Sequence, residues 1–95
     1  MITKEKAFEI AEQYINERKR NYLRISPIEK VYLEKEKRVP YPFSKYYEQI
    51  KNMYVVAYDV EKGYDEIPHF VSVDAETGEV LFTMTEHGYA EDWED

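Results

Sequence analysis

Side chains able to do acid–base, nucleophilic or metal chemistry are few, and their spacing assembles none of the usual sites. The 95-residue chain has two histidines, His69 and His87, and no cysteine. Without cysteine there is no disulfide, thiolate nucleophile or thiolate metal site, which fits a reducing compartment. His69 follows Pro68 at the start of an alternating segment and reads as an edge or surface residue of a strand. His87 lies near Glu86, Glu91 and Asp92, which could be drawn as a metal cluster. No pair among them has the fixed spacing of a metal site, and Gly88 interrupts the backbone between them. Neither a metal nor a cofactor is expected. Ser26, Ser44 and Ser72 have no glycine-rich elbow and no obvious base beside them. No glycine-rich loop is present to cradle phosphate. The expectation is a protein that is not an enzyme.

Two features point instead to binding. Ten tyrosines outnumber four phenylalanines and one tryptophan, and Tyr41, Phe43, Tyr46 and Tyr47 fall within seven residues. Tyrosine and tryptophan offer large rigid contact area with a polar tip, which suits an interface. The same rings could instead cap the second face of a sheet as rim of the core. The other feature is charge. All thirteen Lys and Arg lie at or before Lys62 with ten acids, so residues 1–62 carry +3. From Gly63 onward ten acids and no Lys or Arg carry −10. Five of those acids sit in an acidic tail at 86–95, which ends Glu91-Asp92-Trp93-Glu94-Asp95. Such a field repels nucleic acid and anionic membrane. It would steer a basic partner inward, or serve only solubility. The candidate partner-binding residues are therefore Tyr41, Phe43, Tyr46 and Tyr47 in the insert, with Glu91, Asp92, Trp93, Glu94 and Asp95 in the tail.

The elements that must position these residues follow from periodicity. Ala7, Ile10, Ala11, Tyr14 and Ile15 form one helical stripe after a Thr3 cap, which predicts a helix over 4–20. Pro27 blocks helix, and residues 30–36 alternate as a charged edge strand. Pro40 and Pro42 keep the insert at 37–52 irregular, with Ser44 available to cap a short helical turn. Residues 53–60 are apolar on both sides of the pleat, as in a central strand covered on both faces. Gly63 and Pro68 bracket a loop. Strands at 69–74 and 79–85 then meet through Asp74-Ala75-Glu76-Thr77-Gly78, where Asp74 can accept backbone N–H bonds and Gly78 can turn left-handed. Tyr89 and Trp93, four apart, suggest one helical turn. The fold expected is α+β: one N-terminal helix packed on a four-stranded antiparallel sheet, a single domain over 1–95. Size scaling predicts a folded surface of about 5,800 Å². No apolar run reaches the length of a spanning helix. The charged N-terminus has no signal-like apolar region, so a cytoplasmic location is expected.

The opening run Ile2-Thr3-Lys4-Glu5-Lys6-Ala7-Phe8-Glu9-Ile10-Ala11-Glu12-Gln13-Tyr14-Ile15 and the closing pair His69-Phe70-Val71-Ser72-Val73-Asp74-Ala75-Glu76-Thr77-Gly78-Glu79-Val80-Leu81 resemble two related patterns. One is the immunity protein 35 family, small cytosolic partners of bacterial polymorphic toxins. The other is the PepSY-type domain, whose strands also meet through a Val-Asp-x-x-Thr-Gly-Glu-Val turn. Where the immunity family would open its central strand with tryptophan, Met53-Tyr54 stands here. The resemblance implies a bacterial, non-enzymatic toxin inhibitor that neutralises a co-produced toxin by protein binding. The acidic last third would suit a basic toxin domain, such as a nuclease. The alternatives are a PepSY-like regulatory or inhibitory module acting on a peptidase, and a structural domain that self-associates as a homodimer.

Overall fold

The computed structural model describes residues 1–94. Its architecture is α+β, a single helix laid on an antiparallel sheet. Helix α1 runs Lys4–Glu17, with the Thr3 hydroxyl accepting from the Lys6 N–H at 3.0 Å. The helix stops three residues short of the expected end. Lys19 turns left-handed (φ 55°), so the Lys19 and Arg20 N–H groups bond back to Asn16 and Ile15 carbonyls. That is a Schellman ending, here with lysine in the place glycine usually takes. One consequence is that Arg18, Lys19 and Arg20 lie past the last helical turn.

Six strands replace the expected four: β1 Arg24–Ile25, β2 Tyr32–Arg38, β3 Ile50–Lys62, β4 Asp65–Asp74, β5 Val80–Thr85 and β6 Gly88–Tyr89. The two additions are the two-residue strands β1 and β6. β1 and β2 lie end to end along one side of β3, β4 pairs the other side, and β5 and β6 follow in order. Every pairing is antiparallel. β2 is an edge strand, kept from pairing outward by its charges and by a bulge between Glu34 and Lys37 where Glu36 has φ 51°. The loop expected between Gly63 and Pro68 is a tight turn instead. β3 and β4 extend to Lys62 and Asp65, and Pro68 sits within β4 opposite Asp59. β5 stops opposite Phe70, so Pro68 lies where β4 is paired on one side only.

β3 is central and covered on both faces, as its apolar run requires. Tyr54, Val56 and Tyr58 lie beneath Ala7, Ala11 and Ile15 of α1, with Val71 and Val73 beside them. Ile10, Tyr14 and Phe8 pack at the margin of this core. On the opposite face Met53, Leu81 and Phe82 are covered by Val39 and Tyr41 of the insert. The insert forms successive turns and no helix. The Ser44 hydroxyl accepts from Tyr46 N–H at 3.0 Å, and reciprocal bonds between Val39 and Glu48–Gln49 close the base. The hairpin at Asp74–Glu79 forms as its residues dictate. The Asp74 carboxylate accepts from Glu76 N–H at 2.8 Å, and Gly78 has φ 80° with a virtual Cβ 3.1 Å from Ile10 Cδ1. The accessible surface is 6065 Å², close to the size expectation. No helix among the described residues is long and apolar enough to cross a membrane.

Candidate functional site

The insert and the tail, separated in sequence by the 33 residues 53–85, meet at one end of the sheet. Tyr41 O–H donates to Asp92 Oδ1 at 2.6 Å, and its ring lies against Tyr89 at 4.7 Å and Phe43 at 6.0 Å. The hydrogen bond to the Asp92 carboxylate, aided by burial, pushes the Tyr41 phenol up to about 12. Tyr46 O–H donates to Glu79 at 2.8 Å, with the Lys51 ammonium 4.2 Å over its ring. Tyr41 is thus core, Tyr46 is half-buried, and Tyr47 and Phe43 stand exposed. The reading as rim of the core fits Tyr41 and part of Tyr46, and does not extend to Phe43 and Tyr47. Phe43 is 81% exposed, too much for a residue whose only task is to cover the sheet.

The tail is folded down rather than free. Residues Ala90–Trp93 make a 3-10 helix with Tyr89 of β6 at its N-cap, so the expected helical turn forms one residue later, as 3-10. Tyr89 packs on Tyr41 and Phe82, while Trp93 remains 59% exposed. The anchor is Arg20, whose side chain is 7% exposed. It binds Glu94 with two N–H groups at 2.7 and 2.8 Å and reaches Glu91 at 3.0 Å. It also donates to Thr83 Oγ1 at 2.8 Å. Arg18 adds a second cation to Glu94 at 3.2 Å. Glu91 further accepts from Tyr14 O–H at 2.8 Å and from the Thr83 N–H at 2.7 Å, closing part of the free edge of β5. Burial alone would raise the Glu91 pKa, but the bonds from Thr83, Tyr14 and Arg20 hold it below the usual carboxylate range. The Tyr14 phenol is driven strongly up by burial and by Glu91. Desolvation works against the Arg20 charge, yet its bonds to Glu94 and Glu91 keep it firmly protonated.

The tail acids expected to face a partner also bond within the chain. Glu91 and Glu94 face inward onto Arg20, Asp92 holds Tyr41, and Glu86 pairs with Lys62. Asp95 lies outside the described residues. The physical reason is that cations past the helix end come to rest beside the tail, a juxtaposition no sequence spacing displays. Glu86 and His87 converge on Lys62, away from the groups that Glu91 and Asp92 bind. Among the described residues no group of three or more potential ligands is placed to hold a metal. His69 sits beside the buried Tyr58, Nδ1 to O–H at 3.2 Å; burial and then the Arg20 charge lower its pKa.

Between α1, the insert, the start of β5 and the tail runs an open groove of about 380 Å³. Tyr41, Tyr46 and Leu81 line it, Arg18 and Lys45 bring cations to it, and Phe43 stands on its lip. Its carboxylates, Glu79 and Glu91, are both engaged by tyrosine hydroxyls. Ser44, in its wall, accepts the Tyr46 N–H with its hydroxyl. Sequence reasoning found its aromatics and its tail, and missed Arg20, Tyr14 and Arg18. Family models, curated proteins and solved structures return no match to this chain.

Proposed function

We propose that this chain is a non-catalytic, toxin-neutralising protein of the bacterial cytoplasm, which binds its partner at the end of the sheet where insert and tail are clasped together. The observation that carries this reading is Phe43, an 81% exposed ring on the lip of a groove otherwise built from anchored side chains. The groove walls are pre-ordered by the Tyr41–Asp92 and Tyr46–Glu79 bonds. A partner therefore meets a rigid aromatic anchor with little ordering cost left to bear. Tyr47, in the same insert, is a further exposed ring. With Glu91 and Glu94 turned inward onto Arg20, attraction for a basic partner comes from the net charge of −7 over the whole molecule and shows mainly in the association rate.

The test is to look for a toxin domain encoded beside this gene and to measure binding to it and growth rescue from it. Phe43→Ser should weaken affinity by about tenfold or more, as for a central aromatic anchor, with an unchanged melting temperature. Full protection and unchanged affinity in Phe43→Ser would reject this surface. Failure of the wild-type protein to bind or protect would reject the function itself.

A further inference from the structure

Behind the tail clasp stands a titratable side chain that takes no part in the groove. His69 of β4 lies directly across from Tyr58 of β3 in the sheet register, the two rings edge to face at 5.3 Å. The Tyr58 hydroxyl sits between His69 Nδ1 at 3.2 Å and Arg20 Nη1 at 3.4 Å. A guanidinium can only donate, so the phenol oxygen accepts from Arg20 and the phenol proton goes to His69 Nδ1. That bond fixes His69 as the neutral ring with its own proton on Nε2. The same Arg20 holds Glu91, Glu94 and Thr83. A chain of hydrogen bonds thus runs from a histidine on the sheet to the carboxylates of the tail.

A proton on Nδ1 reverses the first of these bonds. His69 becomes a donor, both neighbours of the phenol then donate to it, and the phenol proton loses its acceptor. Tyr58 is 1% exposed and has no third partner among the described residues, so nothing nearby replaces that acceptor. Charge adds to this, since imidazolium and guanidinium then share one phenol. From the β5–β6 turn Glu86 favours the imidazolium, but Glu86 is already paired with Lys62. Burial and the Arg20 charge together hold the His69 pKa below its ordinary value. By linkage, a clasp that discourages the proton is itself discouraged by the proton. We infer that His69 is a proton-operated release for the tail: its neutral ring supports the Arg20 clasp, and its protonation loosens residues 90–94 from the sheet. The clasp is then intact above about pH 6.5 and weakens as pH falls through the lower value of the clasped state. Glu91 is held below the usual carboxylate range, so the histidine step comes before its own protonation. Loosening also takes Asp92 from Tyr41. Capture of the partner should weaken over the same range, a consequence that rests on the groove being the binding site.

NMR of the free full-length chain from about pH 8 to about pH 5 tests this without a partner. The His69 ring and the amides of 90–94 should titrate with one common midpoint, below about pH 6.5. Amide protection at 90–94, corrected for the intrinsic pH dependence of exchange, should fall by about threefold or more while that of α1 holds. Trp93, the only tryptophan, lines the same cavity of about 220 Å³ as His69 and Arg20, and its fluorescence anisotropy should drop over the same range. His69→Gln offers the phenol an acceptor and takes no proton, so its tail protection should stay flat across that range. Should this variant fold poorly, the shared midpoint in the wild type decides alone. Tail signals that ignore the His69 midpoint, or a tail that loosens equally in His69→Gln, overturn the proposal. A tail that loosens with His69 while partner affinity stays constant upholds the release and rejects the groove as the binding site.

Discussion

The two faces of one sheet are covered by different means. Beneath α1, Ala7 and Ala11 are fully buried and let the helix approach Val56, Val71 and Val73 closely, so shape and apolar burial do the work. Beneath the insert the cover is an irregular stretch of eleven residues, 39–49, held by tyrosine hydroxyls on the carboxylates Asp92 and Glu79. The tail is attached in the same polar manner, through Arg20. A regular element can bury a face by repetition. An irregular one has few apolar contacts per residue and needs directional bonds to settle into one arrangement. The first face should answer to changes of volume, and the second to changes of hydroxyl, charge and pH.

The largest effect should come from the helix face. Ile15 is fully buried, and Ile15→Ala should cost about 3–4 kcal/mol in urea unfolding, transfer plus cavity. A loss below about 1 kcal/mol would show that the helix is not the principal cover. Arg20→Met should follow at about 3 kcal/mol, because Glu91 is then left half-buried without its cation. Acid titration checks the same network. Asp74, which burial alone would raise, is held low by Lys51 and the Glu76 N–H, and Glu91 is likewise depressed. Their folded pKa values lie below the unfolded ones, so the stability they contribute is present above about pH 4 and is lost as pH falls through the folded values. Lowered His69 adds an earlier loss, starting near about pH 6.5, because the unfolded chain takes up that proton first. In Arg20→Met, Glu91 is held low less strongly, so the carboxylate part of the acid loss should shrink. An undiminished loss would mean that Arg20 does not set the Glu91 ionisation.

Tyr41→Phe removes only the hydroxyl on Asp92 and should cost about 1–2 kcal/mol, with faster amide exchange at 90–94 and little change within α1. Equal exchange in both regions would erase the distinction between the two covers. The smallest effect is a gain. Lys19 holds φ 55° at the helix end, and Lys19→Gly should raise stability by up to about 1 kcal/mol. A lower melting temperature would show that the Lys19 side chain does more than tolerate the turn.

How far the residues disclose the molecule depends on the range of each interaction. The Thr3 cap, the stripe from Ala7 to Ile15 and the Asp74–Gly78 turn are all written within a few positions, and all are found in the fold, whereas the alternation expected over 30–36 breaks at the bulge after Glu34. The helix end at Glu17 escaped detection because lysine carries no signal for the left-handed conformation that glycine would have announced. Of the candidate site, Tyr41, Phe43 and Asp92 were visible as types in clusters. That Tyr41 is core and Phe43 is not was invisible, since both lie in an irregular segment with no period to assign inside and outside.

Composition and short-range pattern by themselves determined an α+β chain, a central strand apolar on both faces, and an acidic last third. Tertiary structure alone decided what Glu91 and Glu94 of that acidic third bind within the chain. Arg20 and Glu94 stand 74 positions apart and Tyr14 and Glu91 stand 77 apart. Their meeting depends on where α1 ends and where β5 delivers the tail. Pairing of charges is a matter of distance in space, and a linear chain holds no record of that distance until its hydrophobic faces have chosen their partners.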